Sequence, residues 1–240
     1  MYKRQLVDSY VSVNEALKHA SASIGRSVNI DWIDSETFNG DLNKLDNFDG
    51  VLVPGGFGTR GSEGIIDTAT YTLEKNIPYL GICFGFQLAA IAFGRKMCSL
   101  ENANSTEIIA DTKNPIIDLL PEQKDETDMG GSLRLGANEI KINPDSLAYK
   151  IYNSDKISKR HRHRYEVNNH YVEQIESAGL NIAGKSKDKN LVEVIEINEH
   201  PWFVGCQFHP EFTSNPRDGH PLFKGFIEAA NNQKQNRLSN

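Results

Sequence analysis

A strand, a sharp turn and a helix are predicted around one cysteine, and this feature constrains the fold of the chain most. The apolar run that starts at Pro78 ends at Cys83, and a helix-forming run follows over 86–93. Gly81 and Gly85 flank the cysteine. A nucleophile held on a tight turn crowds its neighbours, so small residues are needed on both sides of it. A buried structural cysteine is the alternative interpretation of Cys83 taken alone.

The predicted turn also suits Cys83 to nucleophilic chemistry. It places the thiol at a helix N-terminus, where the helix dipole favours the thiolate, which is the reactive form. The backbone amide of Phe84, the next residue, then points to the place where an oxyanion would form. For Cys83 alone the structural interpretation is still favoured; the paired glycines weaken it, and two later stretches of the chain overturn it.

The order of the predicted elements favours an α/β fold. Helical patterns at 11–20 and 63–75 alternate with strand patterns at 27–34 and 51–53, and the strand before Cys83 follows. Strands that alternate with helices pair in parallel. We therefore expect a doubly wound, mostly parallel sheet with helices on both faces. The remaining predicted elements are strands at 133–143, 159–167, 180–183, 191–197 and 203–208, and helices at 171–177 and 221–231.

Composition narrows the class of function. The chain has 240 residues, 38% of them hydrophobic, and a formal net charge of -6. A chain of this length and hydrophobic content can bury a substantial hydrophobic core. Its net negative charge argues against general nucleic-acid binding. Three cysteines without metal-type spacing indicate a reducing compartment, no disulfide framework and no metal site. No apolar run approaches about eighteen residues and no signal peptide is visible, so we expect a cytoplasmic protein without a membrane partner.

A histidine and a glutamate follow a second apolar strand. In open α/β sheets, sites lie at the carboxyl ends of the strands, where His209 is predicted. Glu211 is two residues further on, so in extended backbone both side chains leave the same side. Glu211 can then hold one ring nitrogen and leave the other free to take a proton from Cys83. A proline-flanked surface turn is the alternative for this stretch alone.

A glycine-rich loop, Pro54–Gly58, supplies a third element of the predicted site. Glycines that follow a strand let backbone amides approach a ligand closely. The amides of Gly56 and Phe84 would together form an oxyanion hole. A tight turn is the alternative interpretation of this loop.

Together, six stretches of the sequence resemble the class I, or triad, glutamine amidotransferases, and within them the C-terminal glutaminase domain of the CTP synthase family. The resemblance covers about residues 6–230. The arginine–histidine run and the glycine-rich loop separate this family from other amidotransferases. The six stretches are Pro54–Gly64, Gly81–Gln87, Asn104–Glu107, Met129–Gly136, Arg160–Asn168 and Gln207–Phe212.

The resemblance implies a catalytic role for three residues and a binding role for seven. Cys83 attacks the side-chain amide of glutamine and releases ammonia, His209 is first base and then acid, and Glu211 orients it. The opposite charges of Glu107 and Arg164 fit the family positions that hold the α-ammonium and α-carboxylate groups of glutamine. The expected glutamine-binding residues are Gly56, Phe84, Gly85, Phe86, Gln87, Glu107 and Arg164. The family usually has leucine and methionine where this chain has Phe84 and Phe86.

The arginine–histidine run alternates in a way that predicts two faces. On a strand, Arg160, Arg162 and Arg164 share one face, and His161 and His163 share the other. One arginine in the glutamine pocket and others facing nucleotide or a partner domain fits this alternation better than a nucleic-acid patch does.

The resemblance also implies partners outside the site. Arg60, Gly61 and Glu63 match the loop that is linked to GTP, the allosteric activator of the family, although a solvated loop is the alternative. We expect no cofactor in this domain, because ATP and Mg belong to the synthetase domain, which is missing from this chain. The expected partners are L-glutamine and the synthetase domain, normally in the same chain. A homo-oligomer is expected only of the full-length enzyme.

The N-terminus departs from the family. No apolar first strand precedes the first predicted helix, so we expect that strand to be truncated. We expect Met1–Gln5 to be a non-native leader, 6–231 to be the glutaminase domain and 232–240 a polar tail. An ordinary basic N-terminus is the alternative for the leader.

The sequence thus predicts the glutaminase part of a CTP synthase, which supplies ammonia from glutamine for the ATP-dependent amination of UTP to CTP. A free-standing class I amidotransferase or γ-glutamyl hydrolase is the first alternative. A non-catalytic domain that senses glutamine or nucleotide is the second.

Overall fold

The computed structural model describes residues 7–36, 41–120 and 133–239 of the chain. The predicted leader and residues 129–132 of the fourth resembling stretch therefore lie outside the described residues, as does any first strand ahead of residue 7. The strands are β1 (Val51–Val53), β2 (Tyr79–Ile82), β3 (Asn104–Ser105), β4 (Pro115–Asp118), β5 (Arg134–Ile142), β6 (Lys156–His163), β7 (Glu166–Val167), β8 (Asn181–Ser186), β9 (Val192–Glu196) and β10 (Phe203–Cys206). The helices are α1 (Val11–Ser23), α2 (Ser62–Lys75), α3 (Phe84–Met97), α4 (Leu147–Tyr152), α5 (Val172–Ser177) and α6 (Pro221–Ser239).

Seven strands form the central sheet, in the order β1-β2-β10-β9-β8-β5-β6. The α/β fold class is confirmed, and β1, β2 and β10 pair in parallel as expected. The other four strands add to this parallel part in antiparallel pairs. Because β1, β2 and β10 are parallel, the segments that follow them meet at one edge of the sheet, and the predicted site residues lie in those segments.

The core lies on both faces of the sheet, as strand periodicity requires. On β2, Tyr79 packs in the cluster that contains α3, while Leu80 and Ile82 pack in the cluster on the other face, with α1 and α6. Every residue of α3 from Phe84 to Gly94 is buried. A helix that is apolar all round is suited to such a position, and it holds the turn before α3 in the centre of the domain.

A small second sheet lies beside the central one. Its order is β3-β4-β7, with β3 and β4 parallel and β7 antiparallel to β4. The turn after β3 carries Glu107, and the chain just before β7 carries Arg164. This sheet therefore brings the two predicted substrate-binding residues to the same side of the domain.

Two elements differ from the sequence prediction. Residues 27–33 form no strand, and Asp34 makes only an isolated bridge. Val28 and Ile30 still pack against the core. A strand also needs a neighbouring strand, and β1, at the edge of the sheet, pairs only with β2 within the described ranges, so this segment adds no strand to the sheet. Helix α6 continues to Ser239 instead of ending near residue 231, because Arg237 donates hydrogen bonds of 2.8 Å to Asp46 O and 2.6 Å to Asp49 Oδ1.

None of the helices in the described part of the chain combines the length and the apolar character that crossing a membrane requires.

Candidate active site

Cys83 lies in the predicted turn between β2 and α3. Its backbone has φ 52° and ψ -101°, a positive φ that residues other than glycine adopt rarely and at a cost. Its amide donates to Cys206 O at 2.8 Å, and its carbonyl accepts from Gln87 N at 3.1 Å. The turn is therefore held from β10 on one side and from the first turn of α3 on the other.

The glycines beside Cys83 are required by close contacts. A Cβ atom on Gly85 would lie 2.2 Å from Val53 O, and one on Gly81 would lie 2.7 Å from the carbonyl group of Gly85. Real Cβ atoms essentially never come so close to backbone. The two glycines thus let β1, β2 and the start of α3 approach one another, which places Cys83 against the loop after β1.

His209 and Glu211 form a hydrogen-bonded pair after β10. The Nδ1 atom of His209 donates to Glu211 Oε1 at 2.8 Å, and both side chains are largely buried. A Cβ atom on Gly55 would lie 2.8 Å from His209 Cε1 and 3.6 Å from Cys83 Cβ. The imidazole and the cysteine therefore approach the same point of the glycine-rich loop, so the structure brings the three predicted catalytic residues together.

The electrostatics of His209 favour its charged form. Burial by itself lowers the pKa of this histidine, but hydrogen bonds and charge attraction from Cys83 and Glu211 outweigh burial and raise the pKa to about 10. Because Glu211 holds Nδ1, Nε2 is the nitrogen left to exchange a proton with Cys83. The arrangement can therefore hold a positively charged imidazole beside the Cys83 sulfur.

Glu107 and Arg164 lie on the same side of this site. The carboxylate of Glu107 accepts a hydrogen bond of 2.6 Å from the amide of Gly58, in the glycine-rich loop. Burial raises the pKa of Tyr165, the charge of Glu107 raises it further, and the charge of Arg164 lowers it. Both charges therefore act on the Tyr165 hydroxyl group, and the roles of Glu107 and Arg164 in holding glutamine stay a prediction.

Three other predicted glutamine-binding residues differ in their burial and position. Phe86 is fully buried and its ring packs beside Gly205, so its side chain does not line an open pocket. Phe84 is also buried, and its amide begins α3 directly after the nucleophile. Gly56 lies in the loop after β1. The oxyanion role of the Gly56 and Phe84 amides stays a prediction.

Gln87 makes hydrogen bonds inside the protein. Its Nε2 atom donates to Tyr165 O at 2.8 Å and to Gln207 Oε1 at 3.1 Å. Gln207 in turn donates from Nε2 to Cys83 Sγ at 3.8 Å. Sequence reasoning did not select Gln207, because its contact with the sulfur depends on the parallel pairing of Cys206 with Ile82, which no local pattern shows.

The predicted effector loop lies at the start of α2. Gly61 has φ 65°, a Cβ atom on it would lie 2.2 Å from Ser35 Oγ, and the Arg60 side chain pairs with Glu36. A cavity of about 510 Å³ opens beside this loop. Among the described residues, four charged ones line it, and three of these are acidic: Arg60, Glu36, Glu63 and Asp67. The lining does not favour a polyphosphate, so GTP binding at this loop stays a prediction.

Glu63 belongs to a group that we call the Arg95 brace, formed by Glu63, Arg95 and Asn104. Arg95 donates to both carboxylate oxygens of Glu63, at 2.6 and 3.1 Å, and to Ala103 O at 2.7 Å. Asn104 donates to Glu63 at 3.5 Å and accepts from the amide of Ser105 at 2.8 Å. The brace therefore connects the start of α2 and the last turn of α3 to the segment that leads to Glu107.

The predicted alternation is confirmed for residues 160–163 of β6, whereas Arg164 lies after the end of the strand. Arg160 and Arg162 are exposed, while His161 and His163 are buried. Each histidine lies 2.7 Å from a buried glutamate, His161 from Glu193 and His163 from Glu166. The guanidinium group of Arg134 contacts both glutamates. This buried charged cluster supports the strand whose Arg162 carbonyl lies 4.0 Å from Cys83 Sγ.

Within the three described ranges, no three histidine, cysteine, aspartate or glutamate residues are grouped so that they could hold a metal ion.

A cysteine on a strained turn, next to a histidine–glutamate pair at the carboxyl edge of a sheet, is the arrangement of a nucleophile, a base and an orienting group. Residues 5–229 match the family described as "Glutamine amidotransferase class-I". The chain belongs to this family, so it is a glutamine amidotransferase domain and glutamine is its substrate.

The solved structures that resemble this chain include a glutaminase domain and a putative GMP synthase protein. The glutaminase domain of Trypanosoma brucei CTPS with bound acivicin is 34% identical, with a TM-score of 0.89 over 97% of this chain and 91% of that one. A putative GMP synthase protein from Thermoplasma acidophilum is 17% identical, with a TM-score of 0.61 over 98% of this chain and 92% of that one. The second likeness shows the fold alone.

Proposed function

We propose that this chain is the glutaminase part of a CTP synthase. The observation that carries the proposal is the 34% identity to a CTPS glutaminase domain over nearly the whole chain, together with a matching fold. The alternation of buried histidines and exposed arginines on β6 is a second support, since the sequence resemblance rests partly on that run. In this proposal, ammonia from glutamine is used for the ATP-dependent amination of UTP to CTP.

The chemistry begins with the Cys83 thiolate, which attacks the side-chain amide carbon of glutamine. The tetrahedral oxyanion forms beside the amides of Gly56 and Phe84. As the carbon–nitrogen bond breaks, the His209 imidazolium gives its proton to the leaving nitrogen, which departs as ammonia and leaves a γ-glutamyl thioester. His209 then takes a proton from water, whose oxygen attacks the thioester, so that glutamate and the thiolate form. Glu211 holds the ring throughout.

Substrate selection in this proposal depends on Glu107 and Arg164. A carboxylate binds the α-ammonium group of glutamine and a guanidinium binds its α-carboxylate with two parallel hydrogen bonds. The hydrogen bond from Gly58 to Glu107 connects this recognition to the glycine-rich loop. Correct binding of the amino-acid end would therefore help to organise the loop that carries Gly56.

The partners follow from the same proposal. A synthetase domain, normally part of the same chain, would bind ATP, Mg and UTP and receive the ammonia. GTP would act as an activator at the Arg60, Gly61 and Glu63 loop. The full-length enzyme would be a cytoplasmic homo-oligomer, and this domain itself would need no metal or cofactor.

The test is to incubate the pure chain with glutamine, ATP, UTP and GTP, and to follow glutamate and CTP separately. We expect slow glutamate release, because the partner domain that would activate the site is not added. We expect no CTP, because the described residues form no domain that would bind ATP and UTP. Adding a synthetase domain from a CTP synthase should accelerate glutamate release and couple it to CTP. Cys83→Ala is the control, and it should abolish both products.

The alternatives predict other results. Fast glutamate release that neither GTP nor the added synthetase domain changes would favour a free-standing amidotransferase or γ-glutamyl hydrolase. CTP formation by the chain alone, dependent on ATP, would contradict the proposal. Glutamine binding without any glutamate release would favour a sensing domain.

A further inference from the structure

Gln207 is fully buried beside the nucleophile, in the residue that follows β10. Its backbone amide donates to Glu193 O at 2.9 Å, which fixes the position of the residue, and its side-chain nitrogen Nε2 lies 3.8 Å from Cys83 Sγ. Sulfur is larger than oxygen, so its hydrogen bonds are longer. The side-chain amide is therefore placed to donate to the sulfur atom that attacks glutamine.

The neighbouring amide of Gln87 determines which end of Gln207 faces the sulfur. Gln87 Nε2 donates to the backbone carbonyl of Tyr165, which is an acceptor only, and to Gln207 Oε1. If the Gln207 amide were flipped, its NH₂ group would face the NH₂ group of Gln87, and its oxygen would face the sulfur. The contact between the two NH₂ groups would be repulsive, and so would the contact between the oxygen and a Cys83 thiolate, so Gln87 fixes the Gln207 NH₂ group toward Cys83.

We propose that Gln207 is a further catalytic residue, whose side-chain amide donates a hydrogen bond to the Cys83 thiolate, and that Gln87 is the positioning residue that orients this amide. A hydrogen bond to a charged acceptor is stronger than one to a neutral acceptor, and it is strongest where water is excluded. Gln207 therefore stabilises the thiolate before attack. It also stabilises the thiolate that leaves when water hydrolyses the γ-glutamyl thioester.

Other groups around the sulfur do not replace this donor. His209 also acts on Cys83, through a hydrogen bond and its positive charge, but it gives its proton away during the reaction. Burial raises the pKa of Cys206 well above its usual value, so Cys206 brings no positive charge to the sulfur. On the β6 side, the Arg162 carbonyl oxygen is an acceptor and cannot donate to a thiolate. A neutral, fixed N–H donor adds stabilisation without adding a second titrating group.

The proposal is tested by the rate at which iodoacetamide alkylates Cys83 as a function of pH. The thiolate displaces iodide and forms a thioether, so the rate follows the thiolate population. Gln207→Met keeps the volume of the side chain but cannot donate. We expect the inflection of the rate against pH to move upward by about one unit, which corresponds to the loss of one hydrogen bond to a charged group. Below the inflection, alkylation should be about tenfold slower.

Gln87→Met is the second variant, and it does not touch the sulfur. It should shift the inflection in the same direction by a smaller amount, because the Gln207 amide can then rotate. Cys83→Ala gives the background from Cys98, which is partly exposed. Thermal unfolding of each variant distinguishes a folding defect from a local effect at the site. If Gln207→Met does not fold, the proposal is tested with Gln87→Met alone.

An unchanged inflection in a folded Gln207→Met protein would overturn the proposal, even if glutamine hydrolysis fell, because it would show that the amide only supports packing. A shift in Gln207→Met but none in Gln87→Met would overturn the positioning role of Gln87. These outcomes do not depend on which acceptor takes the ammonia, so they are separate from the test of CTP formation.

Discussion

Replacing Arg95 with lysine tests whether the segment that carries Glu107 is positioned from α3. Arg95→Lys keeps the charge but removes the fork that binds Glu63 twice and Ala103 once. A lysine ammonium is a point charge and cannot reproduce this planar set of bonds. We expect the variant to fold and to bind glutamine more weakly, because Glu107 then loses its fixed place beside the loop after β1.

The magnitude follows from the exposure of the brace. The Arg95 and Glu63 side chains are 25% and 58% exposed, so the ion pair contributes about 0.2–1 kcal/mol. The bond from Arg95 to the Ala103 carbonyl contributes about 1.5 kcal/mol, at the low end for a charged donor. The total is therefore about 1.7–2.5 kcal/mol, which sets an upper limit of about 70-fold on the loss of glutamine affinity, and we expect about 5- to 30-fold.

The assay is the dissociation constant of glutamine in a Cys83→Ala background, which cannot turn the substrate over. Lys96→Met is the matched control, because Lys96 is the next residue of α3 and pairs with Glu74 of α2 at the surface. That pair also joins the two helices but lies outside the Arg95 brace. Equal glutamine affinity in the Arg95→Lys and Lys96→Met proteins would refute the reasoning.

Three further predictions concern the site itself. Arg164→Ala should weaken glutamine binding about 10- to 150-fold, as calorimetry can measure, and leave alkylation of Cys83 unchanged; equal affinity would contradict its role. Gly85→Ala should lower the melting temperature, because the added Cβ would lie 2.2 Å from a strand carbonyl oxygen and overpacking costs about 1–3 kcal/mol; an unchanged melting temperature would contradict this. His209 has a pKa of about 10, above its unfolded value of about 6.5, so its stabilisation is complete below about pH 6.5 and is lost as the pH rises toward 10. Urea unfolding should show this loss of stability. If the wild-type protein lost no more stability over this pH range than the Glu211→Gln protein, Glu211 would not be a cause of the raised pKa of His209.

The local parts of the site could be predicted from the sequence because each depends on residues close together in the chain. The spacing of Gly81, Cys83 and Gly85 predicts the turn, and the structure places backbone so near both glycines that no side chain would fit. The alternation of His161 and His163 with arginines predicts two faces of a strand, and the burial of β6 confirms it. Periods of two and tight turns are local properties, so they can be recognised without a structure.

The parts that could not be predicted depend on contacts between distant residues. The register of β2 with β10 brings Gln207 to the sulfur of Cys83, and no sequence pattern gives that register. The alternation of Val28 and Ile30 predicts a strand, but a strand also requires a neighbouring strand, and in the described part of the chain this segment has only the bridge at Asp34. The role of Glu63 in the brace likewise depends on Arg95, which is thirty-two positions away.

The central claim is that Cys83 is the nucleophile of a glutamine-hydrolysing site, and a covalent label tests it most directly. The protein is incubated with a diazoketone analogue of glutamine, with and without excess glutamine, and the labelled peptide is identified by mass spectrometry. The account predicts one adduct, on Cys83, that excess glutamine prevents and that is greatly slowed in Arg164→Ala. A label distributed over Cys98 and Cys206, or a label on Cys83 that glutamine does not reduce, would contradict it.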